Sequence, residues 1–576
     1  MDSDGAFEEE TCYLMSKREQ ITDALIERPY DLIAYLERAE VHSELGYPDL
    51  AAGDSYRALL LCDEVANEGF EYHEQALATL RARGAKGTPI VLRSSSIRHF
   101  DLTSEVEAMK VEGQVDKKAL DLVGIATIQC YRSLAISLLL CGCLKSAYDF
   151  CTRGLAAAPG DEELSQAKEY IEHMAKRRLK VKELDVANLP DQGLVRREIY
   201  PWNDHEPNRY SQETLEFLNK QLAEISSTVE ARITELPTLL EFSGNNMDDS
   251  GSLRTNKQLG LFAKSDIQPG ETVLDEFSLL AANNRLKDNL CDACSSELPP
   301  LTANSTVVGC PDCEDIMFCN DYCLSRAQEE YHPAVCDKDI DTIAKDPDPK
   351  EKPHALYLLL LSRSLAMAAT QGTHPLELKE VKHIWGDFLP SSANAVSLSV
   401  NAPPPPVWTL PFSFQYNISG PLHVLEKMGI DIFAELPMYD LWILNTLYSK
   451  FRGTASARVN KRNGHPEVAA VHPLWCLANH DCNPNVQWEW EGRMKLWCRD
   501  KRIGGLPGGI KAGEEILNHY CDIDLKVKDR REWAQGSLGG YCMCERCRVE
   551  AAEEAGPKTQ VTNGVTGEHL KGRVAA

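Results

Sequence analysis

The 576-residue chain lacks long hydrophobic runs and has too few basic residues to balance its acids. Its longest apolar stretches, at 134–144 and 355–361, are shorter than the roughly 20 apolar residues that span a bilayer. Lys and Arg number 61 against 87 Asp and Glu, a formal net charge of −26. These absences predict no membrane partner. They also predict no direct, sequence-specific nucleic-acid binding, because phosphate neutralisation needs clustered cations.

The sequence also predicts no signal peptide. The first ten residues have neither a cationic start nor an apolar core. We therefore expect a protein that is not secreted and that works in the cytoplasm, the nucleus or both. The 43% hydrophobic and 26% charged shares are typical of folded chains, which excludes a wholly disordered protein. At about 150 residues per domain, the length predicts about three to four domains.

Cysteine is abundant, with 20 in the chain. In a reducing compartment, dense cysteines indicate metal binding or catalysis before disulfides. Four ligand pairs between residues 291 and 336 have the short spacing that suits zinc. They are Cys291 and Cys294, Cys310 and Cys313, Cys319 and Cys323, and His332 and Cys336. These eight ligands predict two ions, and the spacing leaves open which pairs share an ion.

A third metal site is predicted nearer the end of the chain. Cys542, Cys544 and Cys547 supply three ligands, and Cys482 is available as the fourth. The twelve ligands together predict zinc as a cofactor, with three ions. A finger of about 46 residues has little core, so the metals would supply its stability.

Helical repeats are predicted in the first 180 residues. Small and aromatic residues in 35–59 follow a helix–turn–helix pattern with a repeat of about 34 residues. A second copy has Tyr131, Leu134, Ala135, Gly142, Ala147, Gly154 and Pro159 at the same offsets. The pattern resembles a tetratricopeptide (TPR) array with an interrupted middle at about 65–122. A generic helical bundle is the alternative.

The remaining patterns suggest the following boundaries and elements. Apolar spacings of three and four predict an amphipathic helix at 211–236. Alternating apolar residues predict a hairpin at 486–498. Further predictions are a linker at 181–208, a polar boundary at 243–251, helices at 355–386 and a proline spacer at 403–406.

Four separated segments resemble, in order, the motifs of SET-domain protein lysine methyltransferases. They are 260–263 with 269–271, then 479–485, then 513–520, then the cysteines at 542, 544 and 547. The inserted cysteine and histidine pairs resemble a MYND zinc finger, so the arrangement is similar to that of SET-and-MYND proteins. The resemblance covers residues 251–548, about half of the chain. Two positions depart from the family pattern: Gln258 replaces a glycine and Asp481 replaces a serine.

The resemblance implies a multidomain α+β fold, with an all-α TPR-like region followed by a mainly β SET fold. The implied order begins with a TPR-like domain at 1–180 and a linker with the amphipathic helix at 181–250. The SET domain then starts at 251–290 and is interrupted by the MYND-type finger at 291–336 and a helical SET insert at 337–470. The core SET domain at 471–536, a post-SET zinc motif at 537–550 and a flexible tail at 551–576 complete the chain.

The resemblance also assigns residues to roles. Tyr520 would be catalytic, and S-adenosylmethionine would contact Asn479, the backbone of His480, and the main chain of Gly260, Leu261 and Phe262. Tyr541 is a further candidate for stacking on adenine, and Phe451 for the lysine channel. The MYND pattern groups Cys291, Cys294, Cys319 and Cys323 on one ion, and Cys310, Cys313, His332 and Cys336 on the other.

Neighbouring polar residues are predicted to have structural roles. Adjacent strand residues point to opposite faces, so we expect His519 to lie outside the pocket that contains Tyr520. For the same reason Glu514 and Glu515 are interpreted as part of a turn and not as an acid–base pair.

The implied chemistry is methyl transfer to a lysine amine. The enzyme must align the amine, the methyl group and the sulfur, and it must accept a neutral amine whose ordinary pKa is about 10.4. A narrow apolar channel with one phenolic oxygen suits this task. The expected partners are a lysine-bearing histone tail or nonhistone protein, and peptides bound by the MYND finger and the TPR-like groove. The alternatives are an inert SET, MYND and TPR scaffold and, third, a DNA-binding zinc protein, which the net charge disfavours.

Overall fold

A computed structural model of the chain describes residues 2–85, 112–195, 199–237, 255–284, 289–313, 316–340, 343, 347–348, 351–385, 410–459, 466–538 and 540–554. The chain divides into two compact units. The first contains Met1–Ser226, Leu274–Cys476 and Glu489–Lys495, and the second contains Ser227–Val273, Leu477–Trp488 and Leu496–Ala576. The predicted boundary at 243–251, the proline spacer at 403–406 and the tail from 555 lie outside the described residues.

Helices account for the first part of unit one. They are α1 Asp2–Glu27, α2 Leu32–Glu44, α3 Pro48–Ala66, α4 His73–Ala85, α5 Glu112–Cys141, α6 Leu144–Ala157 and α7 Glu162–Leu179. Asp31 and Asp161 cap α2 and α7 by accepting a hydrogen bond from the backbone N–H three residues on. Gly46 and Gly142 have positive φ in the turns that follow α2 and α5. The helical prediction is confirmed at both repeat-like stretches, and the TPR assignment stays a prediction.

One helix in the described residues is long and apolar enough to cross a bilayer, over Ala119–Cys141. Half of its most apolar window is buried in the protein, where α5 packs against α3 and α6. The packing is close at Gly154, where an added Cβ would lie 2.9 Å from the Cβ of Tyr131. Polar residues interrupt the apolar sequence of this helix, so no uninterrupted run of about 20 apolar residues marks it. Helices at the core of soluble domains have the same length and composition, so this helix alone does not indicate a membrane span. The absence of a membrane partner stays a prediction.

The rest of the described chain mixes short strands with helices. The helices are α8 Gln212–Ile225, α9 Asp321–Glu330, α10 His332–Val335, α11 Lys352–Gln371, α12 Lys379–Lys382, α13 Gly420–Lys427, α14 Leu436–Tyr439, α15 Leu441–Thr454, α16 Val527–Leu538 and α17 Glu545–Glu554. The strands are β1 Gly193–Val195, β2 Val229–Pro237, β3 Thr255–Ala263, β4 Thr272–Glu276, β5 Ala281–Asn283, β6 Val308–Gly309, β7 Met317–Phe318, β8 Leu410–Phe412, β9 Ser456–Val459, β10 Pro466–Ala470, β11 Val486–Trp490 and β12 Met494–Cys498.

The strands form small sheets. Their orders are β1-β8, β5-β10-β9, β11-β12-β4, β2-β3 and β6-β7. Strands β11 and β12 are neighbours on either side of a tight turn, which confirms the predicted hairpin, and α11 confirms helix within 355–386. The predicted helical insert at 337–470 also contains strands, β8 to β10. Residues 551–554, predicted as the start of the tail, are the last turn of α17.

The predicted amphipathic helix at 211–236 is wrong in its second half. Helix α8 ends at Ile225, and the nine residues of β2 pair antiparallel with β3 from Val229↔Ala263 to Pro237↔Thr255. Apolar residues three and four apart suit a helix, but pairing with β3 supplies hydrogen bonds for the backbone of β2. Strand β2 therefore belongs to the second unit, which begins before the predicted SET boundary at 251.

A buried ionic cluster joins the N-terminal helices to α15 within the first unit. The Arg38 guanidinium lies 2.6 Å from a carboxylate oxygen of Asp54 and 3.0 Å from one of Asp440. Burial opposes the charge of Arg38, yet Asp440 and Asp54 raise the pKa of this guanidinium. Asp440 also caps α15 by accepting a 2.8 Å hydrogen bond from the N–H of Leu441. Asp440 lies 402 residues from Arg38, so this contact helps to hold distant parts of the chain in one core.

We expect Asp440→Asn to lower the free energy of unfolding by about 3 kcal/mol, because it leaves a buried guanidinium without one of its counter-charges. Asp149→Asn is the matched control, since Asp149 pairs with Lys145 on the surface and should cost less than about 1 kcal/mol. Chemical unfolding followed by circular dichroism measures both. Equal losses for the two variants would contradict the central role of the buried cluster.

Candidate active site and metal centres

Two groups of metal-ligating side chains lie in the first unit. Within each group, every ligand atom lies within 4.8 Å of the others. The groups are Cys291, Cys294, Cys319 and Cys323, and Cys310, Cys313, His332 and Cys336. The structure thus brings together the same two interleaved sets that the MYND resemblance implies.

Local structure explains how the ligands of the finger meet. Asn320 caps α9 by accepting a 2.9 Å hydrogen bond from the N–H of Cys323, and this turn places the sulfurs of Cys319 and Cys323 3.5 Å apart. His332 begins α10, and its Nε2 lies 3.1 Å from the Cys310 sulfur. Thiolates this close repel one another unless a cation lies between them. The donors fit zinc, which takes four sulfur or imidazole ligands.

A third group lies in the second unit. It consists of Cys482, Cys542, Cys544 and Cys547. The Cys482 sulfur is 3.4 Å from that of Cys547 and 4.0 Å from that of Cys542. An Arg530 guanidinium N–H donates to the Cys547 sulfur at 3.6 Å, which offsets negative charge on the cluster. These four thiols also fit a zinc ion.

His480 connects this cysteine group to Tyr520 within the second unit. Its Nδ1 accepts a 3.0 Å hydrogen bond from the backbone N–H of Tyr520, and its Nε2 lies 3.4 Å from the Cys482 sulfur. Burial lowers the pKa of His480 to about 4, so the ring is neutral at neutral pH. With Nδ1 acting as an acceptor, the ring proton lies on Nε2 and faces the sulfur. The cysteine group and the Tyr520 backbone are therefore coupled through one imidazole.

The Tyr520 hydroxyl is held at a defined position. It donates a 2.8 Å hydrogen bond to the carbonyl oxygen of Ala478, and its ring centre lies 5.3 Å from that of His480. The phenol oxygen keeps lone pairs that can accept a hydrogen bond from a bound amine. Tyr520 is thus oriented by the segment that also carries Asn479 and His480.

Asn479 lies beside the glycine of the first motif. Its Nδ2 donates to the carbonyl oxygen of Leu259 at 2.9 Å and to a carboxylate oxygen of Glu515 at 2.7 Å. A Cβ at Gly260 would lie 2.5 Å from the Glu515 carboxylate and 3.1 Å from Asn479 Nδ2, so a larger residue would displace this contact. The carbonyl of Leu261 accepts a 2.7 Å hydrogen bond from Ile516, and Phe262 bridges to Glu515. Asn479, Gly260, Leu261 and Phe262 therefore lie on segments that hydrogen bonds join to one another.

Glu515 is the residue of this site that sequence reasoning missed. Burial raises the pKa of its carboxyl, although hydrogen bonds from Asn479 and Thr234 lower it. The turn predicted there lies at Ala512 and Gly513, whereas the backbone of Glu515 forms an antiparallel bridge with Phe262. No local signal could have found it, because Thr234 lies 281 residues away and on the strand that had been predicted as helix.

The remaining candidates have different surroundings. His519 donates from Nδ1 to the carbonyl oxygen of Cys521 at 3.1 Å, and its ring neighbours Trp488. Its position outside the Tyr520 pocket stays a prediction. Tyr541 is half-buried directly before the Cys542 ligand in the second unit. Phe451 is fully buried in the hydrophobic core of the first unit. Asp481 accepts a 2.7 Å hydrogen bond from the N–H of Asn483 and so forms the turn before the next motif residues.

Comparison with known proteins places this site in a family context. Residues 258–521 match the SET domain family, so the chain contains a SET domain. Histone-lysine N-methyltransferase set5 of Schizosaccharomyces pombe is 36% identical over 147 residues, which cover 21% of this chain and 44% of the relative. N-lysine methyltransferase SMYD2 of Homo sapiens is 28% identical over 87 residues, which cover 15% of this chain and 18% of the relative. The chain thus spans less than half the length of these curated relatives.

Metal analysis of the purified chain should give about three zinc ions if all the ligand groups are filled. We expect Cys544→Ser to reduce the zinc content by about one ion, because a tetrahedral site loses one of its ligands. Cys12→Ser is the control, since Cys12 is exposed and outside these groups. Inductively coupled plasma mass spectrometry gives the ratio. A wild-type content near one ion would contradict the two-ion finger.

Proposed function

We propose that the SET domain at 258–521 makes this chain an S-adenosylmethionine-dependent protein-lysine N-methyltransferase acting on a histone or nonhistone protein. The SET match supports this activity, and so do the lysine methyltransferase names of the relatives. The observation that carries the proposal is the convergence of Asn479, His480 and Tyr520. The Tyr520 N–H donates to His480, the Tyr520 hydroxyl donates to the Ala478 carbonyl, and the N–H of Asn518 donates to the Asn479 carbonyl.

The site has groups suited to hold the cofactor. Asn479 uses both Nδ2 hydrogens within the protein, and its Oδ1 has no hydrogen bond in the described part of the chain. That oxygen can accept from the α-ammonium group of S-adenosylmethionine. The main chain of Gly260, Leu261 and Phe262 would line the same ligand, and Tyr541 is proposed to contact its adenine. When bound, the cofactor supplies a methyl group whose bond to sulfur breaks as its bond to the lysine nitrogen forms.

Tyr520 is proposed to orient the lysine amine. Its hydroxyl proton is committed to the Ala478 carbonyl, so the phenol oxygen can accept a hydrogen bond from the amine and aim the nitrogen lone pair. Exclusion of water favours the neutral amine, because burial disfavours the ammonium form. His480 holds the Tyr520 backbone in register with Asn479, which keeps the two groups at a constant separation.

The wider chain is proposed to bind the protein partners. A MYND-type finger and TPR-like helices are suited to peptide docking, and the net charge of −26 suits a lysine-rich substrate. A histone lysine is the first candidate, since the set5 relatives are named histone-lysine N-methyltransferases. Cytoplasmic and nuclear locations both remain consistent with this proposal.

We expect Tyr520→Phe to reduce methyl transfer at least about 100-fold, because the oxygen that orients the amine is lost. Tyr322→Phe is the matched control, since this side chain is exposed on α9. The assay uses zinc-loaded protein, labelled S-adenosylmethionine, and histones or a peptide array, with products identified by mass spectrometry.

Two outcomes would contradict the proposal. An unchanged rate for Tyr520→Phe would remove Tyr520 from the mechanism. Failure of folded, zinc-loaded wild-type protein to bind S-adenosylmethionine in calorimetry would favour the inert scaffold.

A further inference from the structure

The Glu515 carboxylate is built into the cofactor end of the site. One oxygen accepts the 2.7 Å hydrogen bond from Asn479 Nδ2, and the other accepts a 3.3 Å hydrogen bond from the Thr234 hydroxyl. The same carboxylate lies against Gly260, where even a Cβ would meet it at 2.5 Å. The bridge to Phe262 of β3, the Asn479 amide and the Thr234 hydroxyl of β2 thus fix the position of one carboxylate beside the backbone assigned to the cofactor.

This carboxylate has no cationic partner in the described residues. Its hydrogen-bond donors, Asn479 and Thr234, are neutral, and the charged side chain that acts on it most is Asp481, which is itself acidic. The neighbouring Glu514 differs, because its carboxylate is exposed and lies 3.7 Å from the Arg502 guanidinium. A half-buried carboxylate without a counter-charge is unfavourable, so a site built around Glu515 suits a cationic ligand.

We propose that Glu515 is a specificity-determining residue whose negative charge makes the site prefer S-adenosylmethionine to S-adenosylhomocysteine. The inference rests on the proposed function. The two ligands share the adenosine and amino-acid groups and differ by a methyl group and one positive charge. S-adenosylmethionine carries a sulfonium, whereas S-adenosylhomocysteine carries a neutral thioether. An anion in the binding site therefore favours the methyl donor through the charge that the reaction removes.

This preference would also help turnover. Before transfer, the sulfonium and the Glu515 carboxylate attract each other. Transfer of the methyl group leaves a neutral sulfur, and the attraction ends while the shape of the ligand hardly changes. S-adenosylhomocysteine would then dissociate more readily than S-adenosylmethionine. A new molecule of S-adenosylmethionine could replace it for the next cycle.

The test is isothermal titration calorimetry of the full-length, zinc-loaded protein with each ligand separately. Glu515→Gln is nearly isosteric and keeps an oxygen that can accept from Asn479, so it removes mainly the charge. We expect this variant to weaken S-adenosylmethionine binding about tenfold more than S-adenosylhomocysteine binding, because the α-ammonium group is common to both ligands and the sulfonium is not. Glu514→Gln removes the same charge one residue away at an exposed position, and it should change neither affinity more than about twofold.

Two further measurements separate charge from structure. Thr234→Val removes a hydrogen bond to Glu515 but leaves its charge, so the ratio of the two affinities should stay within about twofold of wild type. Raising the salt concentration should lower the wild-type preference for S-adenosylmethionine, because screening weakens the charge term. The salt measurement needs no variant, and it tests whether charge contributes to the preference even if Glu515→Gln does not fold.

The outcomes are distinguishable. Equal weakening of both ligands by Glu515→Gln, or a wild-type preference that does not depend on salt, overturns the role of the charge while leaving the methyltransferase proposal standing. Wild-type protein that binds neither ligand overturns the proposed function and this inference with it. A loss that is clearly larger for S-adenosylmethionine than for S-adenosylhomocysteine supports both.

Discussion

The Cys482 sulfur lies 3.4 Å from the Cys547 sulfur and 3.4 Å from His480 Nε2, so the cysteine group and the Asn-His motif meet at one atom. The other nitrogen of His480 holds the Tyr520 backbone. Because thiolates repel without a cation between them, a metal in this group would determine whether Cys482 stays in place. The geometry around Tyr520 therefore depends on a cluster outside the proposed site of methyl transfer, and metal loading and the proposed activity should be linked through His480.

Charge is used in opposite ways in the two units. In the first, Arg38 is enclosed by Asp54 and Asp440, and the buried charges neutralise one another. In the second, the Glu515 carboxylate receives hydrogen bonds from neutral groups but has no cation beside it in the part of the chain that is described. A neutralised cluster stabilises a core, whereas an uncompensated charge suits a ligand of the opposite sign. The proposed preference for a sulfonium follows from that difference.

Much of the metal chemistry could be predicted because ligand spacing is local. Pairs such as Cys291 and Cys294 reveal a zinc site by their spacing, and the structure groups them as the family resemblance implies. Helices α2, α3, α5 and α6 could also be predicted, since helical periodicity is a property of short windows. Strand β2 could not, because its apolar spacing suited a helix and the deciding partner, β3, comes later in the chain.

The sequence by itself determined which residue types are present for the chemistry: the cysteine and histidine ligands, the Asn479-His480 pair and Tyr520. Those assignments follow from identity and order, which do not depend on the path of the chain between motifs. Only the tertiary structure decided the directions of the side chains. It turned Nε2 of His480 toward Cys482, turned the Asn479 amide toward Leu259 and Glu515, and brought Thr234 to the same carboxylate. Hydrogen bonds depend on distance and angle between atoms, and segments hundreds of residues apart acquire these only when the chain is folded.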